Sequence, residues 1–147
     1  GPDADTVSLD QLADILATAK GSRIHGVLRK QQRIAGIGRR LSNEICWEAQ
    51  CSPFASAASF AGDSLAALHS AIGTMISTSL ADERERDEMV RSKERLSNVH
   101  HQVGEPCPRC GDTVRSITYQ RYEIDYCATC QTDGRVLADN TTSKFLK

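Results

Sequence analysis

The chain has 147 residues, enough for one ordinary domain or for a small helical domain with a short appendage. Hydrophobic residues make up 39% of the sequence and aromatic residues 5%, so we expect a packed core built chiefly from aliphatic side chains. The net charge of −1 argues against a uniformly basic protein, and no apolar run is long enough to cross a membrane. Six cysteines without a secretory leader predict a protein of the reducing cytoplasm.

Two helices are predicted near the start of the chain. Ser8 is placed to cap the first helix, and Gln11 three residues later completes a capping box. We expect this helix to run to about Lys20 and to stop at Gly21, and a second, short helix to cover residues 24–30. The apolar positions that predict these helices are Leu9, Leu12, Ile15 and Leu16 in the first and Ile24, Val27 and Leu28 in the second.

Positive charge is concentrated in residues 20–40, although the net charge conceals it. This segment holds no acidic residue and seven basic ones, namely Lys20, Arg23, Arg29, Lys30, Arg33, Arg39 and Arg40. Clustered charge of this kind is typical of proteins that bind a phosphate backbone, and a merely solvated basic face is the alternative.

A glycine-containing turn follows, in which Gly36 and Gly38 are separated by one residue. The next helix is predicted to begin near Arg39, to run through Ala49 and to be ended by Ser52-Pro53. Unpaired N–H groups at such a helix start can face a phosphate, and the basic flanks favour this over an ordinary turn.

The middle of the chain predicts a long helix over residues 62–82. Its apolar stripe consists of Leu65, Leu68, Ile72, Met75, Ile76 and Leu80. The mixed-charge run from residue 82 to 95 is interpreted as a solvated extension of this helix or as a loop. Cys46 and Cys51 are expected to be ordinary buried thiols on different faces of the preceding helix.

Two Cys-x-x-Cys pairs near the end of the chain carry the strongest signal. Cys107 and Cys110 are followed, after sixteen residues, by Cys127 and Cys130, a spacing typical of a structural Zn²⁺ site. Two disulfides, or four unrelated thiols, are the alternatives. Between the pairs, residues 113–119 and 121–126 predict a β-hairpin whose tip falls at Gln120, Arg121 and Tyr122. With four cysteines available, His100 and His101 are interpreted as linker residues and not as ligands.

These motifs together resemble the C-terminal half of the formamidopyrimidine-DNA glycosylase/endonuclease VIII family. The stretches that carry the resemblance are Gly1-Pro2-Asp3, Ile34-Ala35-Gly36-Ile37-Gly38 into Glu44-Ile45, and Tyr126-Cys127-Ala128-Thr129-Cys130-Gln131. The resemblance implies a mainly α fold with a small β zinc ribbon. It divides the chain into a helix–two-turns–helix domain (residues 1–98), a Cys₄ zinc-ribbon β-hairpin (99–135) and a polar tail (136–147).

The resemblance also implies a DNA-contacting surface. The residues expected to contact DNA phosphates are Lys30, Gly38, Arg39, Arg40, Arg121 and Tyr122. Three positions depart from the family pattern: Arg39 replaces an asparagine, Leu41 replaces a tyrosine, and Tyr122 stands at the position of a phosphate-binding arginine. Arg121, one residue earlier, is the predicted substitute.

The function implied is a monomeric module that binds intact or abasic double-stranded DNA, with one structural Zn²⁺, near the bacterial nucleoid and beside other repair proteins. The family's nucleophile is an N-terminal proline, whereas Pro2 is acylated by Gly1 and is expected to be linker, so no catalytic residue is predicted. The alternatives are a fragment of an active glycosylase and abasic-site lyase, an enzyme using another amine, and a degenerate protein-interaction module.

Overall fold

The computed structural model describes residues 2–19, 21–89, 97–119 and 122–137, without the side chains of residues 80–89, 119 and 122. The elements are α1 (Leu9–Thr18), α2 (Ile24–Arg29), α3 (Arg39–Ala49), a short 3-10 turn (Ala57–Ser59), α4 (Gly62–Met89), β1 (Arg115–Tyr119), β2 (Tyr122–Tyr126) and α5 (Ala128–Gln131). This order confirms the predicted fold class of a helical part followed by a small β-hairpin. The division at residues 98 and 136 stays a prediction.

The first helix is fixed by the capping box that the sequence predicts. The Ser8 hydroxyl accepts a hydrogen bond from the Gln11 amide at 3.0 Å, and the Gln11 side chain accepts one from the Ser8 amide at 2.8 Å. The helix ends at Thr18, earlier than expected, because the Ala19 amide turns back to the Leu16 carbonyl in a tighter turn.

An aliphatic core joins helices α1 to α4, as the composition predicts. Its largest fully buried side chains are Leu12, Leu16, Ile24, Leu28, Ile34, Ile37, Ile45, Leu68 and Ile72. Helix α4 supplies Leu68, Ile72 and Ile76 to this core, while Leu65 and Met75 are half-buried at its edge. The predicted stripe is therefore confirmed except at Leu80, whose side chain lies outside the described part of the chain.

The N-terminal segment is attached to the turn that precedes α3. Asp3 forms a parallel β-bridge with Ala35, the Ala35 amide donates to the Pro2 carbonyl, and the Ala4 amide donates to the Ala35 carbonyl, both at 2.9 Å. The segment that the sequence assigns to a linker thus holds the base of the glycine turn in place.

The end of α3 differs from the prediction. The helix stops at Ala49 because Gln50 adopts a left-handed conformation with φ of 57°, before Ser52 and Pro53 are reached. The chain reverses there, so Cys51 leaves the helix and its amide donates to the Cys46 carbonyl at 3.1 Å. The prediction that the two thiols lie on different faces was wrong. A hydrogen bond from Cys51, together with burial, raises the pKa of the Cys46 thiol.

Helix α4 is longer than expected and reaches Met89, so the first part of the mixed-charge run is a helical extension. Oppositely charged residues four apart in the sequence, such as Asp82 and Arg86, favour a helical conformation there. The rest of the run, residues 90–95, lies outside the described residues. None of the helices in the described part of the chain is both long and apolar enough to span a membrane.

The hairpin pairs β1 and β2 in antiparallel register, from Arg115 opposite Tyr126 to Tyr119 opposite Tyr122. The first strand begins two residues later than predicted, and Thr113 instead forms a single bridge with Pro106. Ile117 and Ile124 face each other and are buried with Phe54 and Tyr126, so the hairpin packs against the segment that follows α3. Gln120 and Arg121, at the predicted tip, are outside the described residues.

Candidate metal centre and nucleic-acid interface

The four cysteines of the two pairs come together in one cluster. The sulfur atoms of Cys107, Cys110, Cys127 and Cys130 all lie within 4.8 Å of one another, with Cys107 and Cys130 3.9 Å apart and Cys110 and Cys127 3.4 Å apart. All four are free thiols, unlike the two-disulfide alternative, and their proximity argues against four unrelated thiols. Tetrahedral zinc–sulfur bonds of about 2.3 Å place sulfurs roughly 3.8 Å apart, so the cluster can hold such an ion.

Backbone turns shape the two halves of this cluster. In the first, the Cys107 amide donates to the Asp112 carbonyl at 2.7 Å and the Gly111 amide donates to the Cys107 carbonyl at 2.9 Å. Gly111 has φ of +83°, a left-handed conformation that favours glycine. In the second, Cys127 precedes the single turn α5. The Thr129 hydroxyl donates to the Asp112 carboxylate at 2.9 Å and so connects the two halves of the cluster. This hydrogen bond lowers the pKa of Asp112.

Helix α3 supports the cluster from one side. Gln131 accepts a hydrogen bond from the Cys127 amide at 2.8 Å and donates to the Cys51 carbonyl at 3.0 Å, which ties the second cysteine pair to the end of α3. The indole nitrogen of Trp47 lies 3.2 Å from the Cys107 sulfur. The sequence did not predict these supporting contacts, because they join residues far apart along the chain. Cys51 and Gln131, for example, are 80 positions apart.

The two histidines before the ribbon do not join the metal cluster. Nδ1 of His100 lies 2.9 Å from the Asn43 amide nitrogen and 3.7 Å from the Asp125 carboxylate, and the His101 ring stacks on His100. Burial lowers the pKa of His100 to about 4 and raises that of Asp125 to about 7. Within the described residues the metal-binding group contains only the four cysteines, in agreement with the linker interpretation.

The glycine turn presents the N-terminus of α3 at the surface. Gly36 has φ of +100°, and the Gln31 side chain bridges the turn by accepting from the Gly36 amide and donating to the Ile37 carbonyl, both at 2.9 Å. Gly38 is the N-cap in an extended conformation, and no side chain caps the helix. Gly38 and Arg39 are exposed, so the first amides of α3 adjoin solvent beside an exposed cation.

The other predicted contact residues are placed less uniformly. Lys30 is the exposed C-cap of α2, whereas Arg40 is half-buried and donates to the Ser79 hydroxyl of α4 at 2.6 Å. Tyr122 begins β2, but its side chain is not described, and Arg121 lies outside the described residues. The structure therefore brings Lys30, Gly38 and Arg39 to the surface near the turn and leaves the hairpin contacts a prediction.

A basic cleft borders α2. It has a volume of about 420 Å³, and its lining among the described residues includes the three cations Arg23, Arg29 and Lys30 and no acidic side chain. Arg23 is held there by donating to the Phe54 carbonyl at 3.1 Å. The buried His25 also lines the cleft, and its pKa is lowered to about 3 by burial and by the neighbouring Arg29. The cleft thus presents a local positive charge despite the near-neutral chain.

Comparison with known proteins identifies the family in which the cysteine cluster and the glycine turn occur together in this chain. A formamidopyrimidine-DNA glycosylase-like protein of Mycobacterium tuberculosis, itself described as uncharacterized, is 42% identical over 149 residues, covering all of this chain and 94% of that protein. This chain belongs to the formamidopyrimidine-DNA glycosylase-like family. A formamidopyrimidine-DNA glycosylase from a Roseiflexus species is 29% identical over 137 residues, covering 88% of this chain and 50% of that protein. The corresponding enzyme of Chloroflexus aggregans is 32% identical over 115 residues, 74% of this chain and 42% of its own length.

The fold agrees with this family membership. The MutM (Fpg) protein of Thermus thermophilus superposes with a TM-score of 0.81 at 21% identity, over 92% of this chain and 55% of that one. The Lactococcus lactis Fpg, in a complex with DNA containing an abasic site, gives a TM-score of 0.78 at 21% identity, over 89% and 51%. The chain spans about half the length of the glycosylases it matches. No family model matches the sequence.

Proposed function

We propose that this chain is the DNA-binding module of a formamidopyrimidine-DNA glycosylase-like protein, which grips double-stranded DNA through its phosphates. The observation that carries the proposal is the exposed, uncapped start of α3 at Gly38, flanked by Arg39 and by the basic cleft at Lys30. Amide N–H groups and cations together form a phosphate-binding surface that does not read sequence. Arg40, Arg121 and Tyr122 are proposed to complete it.

One structural Zn²⁺ is proposed at Cys107, Cys110, Cys127 and Cys130. Four sulfur ligands within 4.8 Å of one another suit this ion and leave no position for a reacting water. When bound, the ion would offset part of the negative charge of the thiolates and would hold the first cysteine pair to the second, on either side of the hairpin. The role proposed is folding, and no step of a reaction is assigned to it.

The 147-residue chain by itself is proposed to lack glycosylase and abasic-site lyase activity. Pro2 is in peptide linkage with Gly1, and its carbonyl is engaged by the Ala35 amide, so it serves as backbone of the turn and not as a free amine. Borohydride trapping on a duplex with an abasic site tests this proposal, because a covalent adduct requires an imine. We expect no adduct, and an adduct would favour an enzyme that uses another amine.

DNA binding is tested by fluorescence anisotropy with two labelled duplexes, one intact and one with a stable abasic analogue, across a salt series. We expect binding that weakens steeply with salt, because phosphate contacts release counterions. Tighter binding to the abasic duplex would mean that this module recognises lesion geometry by itself. Failure to bind either duplex at low salt would overturn the proposal.

A protein-interaction module is the second candidate, and the orientation of Arg40 favours it. This half-buried cation donates to the Ser79 hydroxyl of α4, so part of its hydrogen-bonding capacity is used within the chain. If the surface has lost DNA affinity, charge reversal at Arg39 will leave anisotropy unchanged, whereas a phosphate-binding surface will lose affinity.

A further inference from the structure

We propose that Trp47 and Arg109 are positioning residues of the metal centre, which hold the sulfur of Cys107 and connect it to α3. The inference rests on the metal assignment made above but goes beyond it. A four-cysteine ligand set by itself gives no role to a tryptophan on a distant helix or to the arginine between the first two ligands.

Trp47 reaches the cluster from the last turns of α3. Its side chain is buried, with 7% of its surface exposed, and its indole nitrogen donates to the Cys107 sulfur at 3.2 Å. Indole is a donor only, so this sulfur satisfies the one polar atom of an otherwise apolar ring. A divalent ion with four thiolates leaves about two excess negative charges, and an N–H donor disperses part of that charge from the sulfur.

Arg109 holds the same tryptophan from the other side. Its guanidinium carbon lies 3.9 Å from the centroid of the Trp47 ring, and its Nη1 donates to the Trp47 carbonyl at 3.0 Å. The carbonyl belongs to the last turn of α3, where a cation is favoured by the helix dipole. The backbone amide of Arg109 donates to the Cys107 sulfur at 3.4 Å, so Trp47 and Arg109 converge on the same ligand.

The arrangement links the ion to the helix that starts at the glycine turn. Val99 packs with Trp47 and Cys107 in the same small buried cluster, separate from the aliphatic core of the helices. Outer groups that orient metal ligands typically change metal affinity by about ten-fold to a hundred-fold when they are removed. We therefore expect Trp47 and Arg109 to slow the loss of the ion and to transmit its presence to α3.

The test uses the full chain loaded with zinc. Zinc release is started with an organomercurial thiol reagent and followed with a colorimetric zinc indicator in the wild type, Trp47→Phe and Arg109→Met. We expect release to be about ten-fold faster in both variants, because Trp47→Phe removes an N–H donor to sulfur and Arg109→Met removes the cation that holds Trp47 in place. Arg135→Met is the matched control, since Arg135 is an exposed cation of the ribbon for which no contact with the sulfurs is described.

A spectroscopic measurement separates positioning from stability. In the cobalt-substituted protein, the thiolate-to-cobalt charge-transfer band reports the electron density on sulfur, and we expect Trp47→Phe to shift it. Wild-type release rates and an unchanged band in both variants would overturn the inference while leaving the metal assignment intact. A wild type without stoichiometric zinc would overturn the assignment itself. If Trp47→Phe does not fold, zinc release from Arg109→Met tests the inference, because Arg109 is exposed and its replacement removes no core packing. Zinc release as fast in Arg135→Met as in Arg109→Met would mean that the lost charge alone speeds release, and would overturn the inference for Arg109.

Discussion

Glu44, buried in α3, accepts two hydrogen bonds from Asn98, one from its amide and one from its side chain, both at 2.8 Å. The other carboxylate oxygen accepts from the amides of Val99 and His100, at 2.9 and 3.0 Å. Four N–H donors from three consecutive residues therefore converge on one carboxylate that is 1% exposed. This contact fixes the start of the ribbon segment against the helix whose N-terminus is the proposed phosphate site.

Replacement of Glu44 by glutamine is expected to destabilise the fold by about 3 kcal/mol. The amide keeps one oxygen, but its NH₂ group then faces two backbone donors that remain buried without an acceptor. Urea denaturation, followed by circular dichroism, measures the change. Glu48→Gln is the control. Glu48 lies on the same helix, but its side chain is 35% exposed and makes only a long ion pair, with 4.0 Å between its Oε1 and the Nη2 of Arg109. Its loss is expected to stay below about 1 kcal/mol, and equal losses in the two variants would contradict the special role of Glu44.

Removal of one metal ligand is expected to unfold the ribbon and to leave the helices largely formed. Cys110 is exposed and makes no contribution to the aliphatic core, so Cys110→Ser removes a ligand and little packing. Amide hydrogen exchange should show protection lost across β1 and β2, with most of the helical circular dichroism retained. Cys51→Ser is the matched control, since Cys51 lies outside the cluster. Retained hairpin protection in Cys110→Ser would refute the structural role of the metal.

The sequence predicted the features that depend on neighbours along the chain. The capping box of Ser8 and Gln11 and the start of α3 at Arg39 are local patterns, and they were confirmed residue by residue. The cysteine spacing likewise predicted the cluster. By contrast, the bonds from Glu44 to residues 98–100 cross more than fifty positions, and no periodicity encodes them. The left-handed turn at Gln50 was missed because glutamine rarely adopts that conformation.

Acid should destabilise the protein in part through His25. Burial and Arg29 lower its pKa from the usual 6.5 to about 3, so between these values the unfolded chain binds a proton that the folded chain excludes. Stability therefore falls as the pH is lowered through this window, with a slope of up to about 1.4 kcal/mol per pH unit, and this contribution is constant above 6.5.

His25→Gln should remove that slope, and denaturant titrations at several pH values would measure it. Acid loss of the metal is common to both proteins and cancels in the difference between wild type and variant. His100, whose pKa is lowered to about 4, contributes its own pH dependence of stability equally in the wild type and in His25→Gln. Parallel stability curves for the two proteins would show that His25 titrates normally in the folded state.

Substitution of Lys30 in the basic cleft tests whether the cleft is a phosphate site or only a solvated basic face. Lys30 is exposed, lines the cleft with Arg23 and Arg29, and lies at the end of α2 next to the turn. Lys30→Met should weaken DNA binding to intact and abasic duplexes alike. It should also reduce the slope of log affinity against log salt by about 0.9, the value for one lost phosphate contact. Arg135→Met removes the same charge from the exposed end of the ribbon and should leave that slope unchanged. If both variants lose affinity equally without a change of slope, Lys30 acts only through net charge and the cleft holds no phosphate.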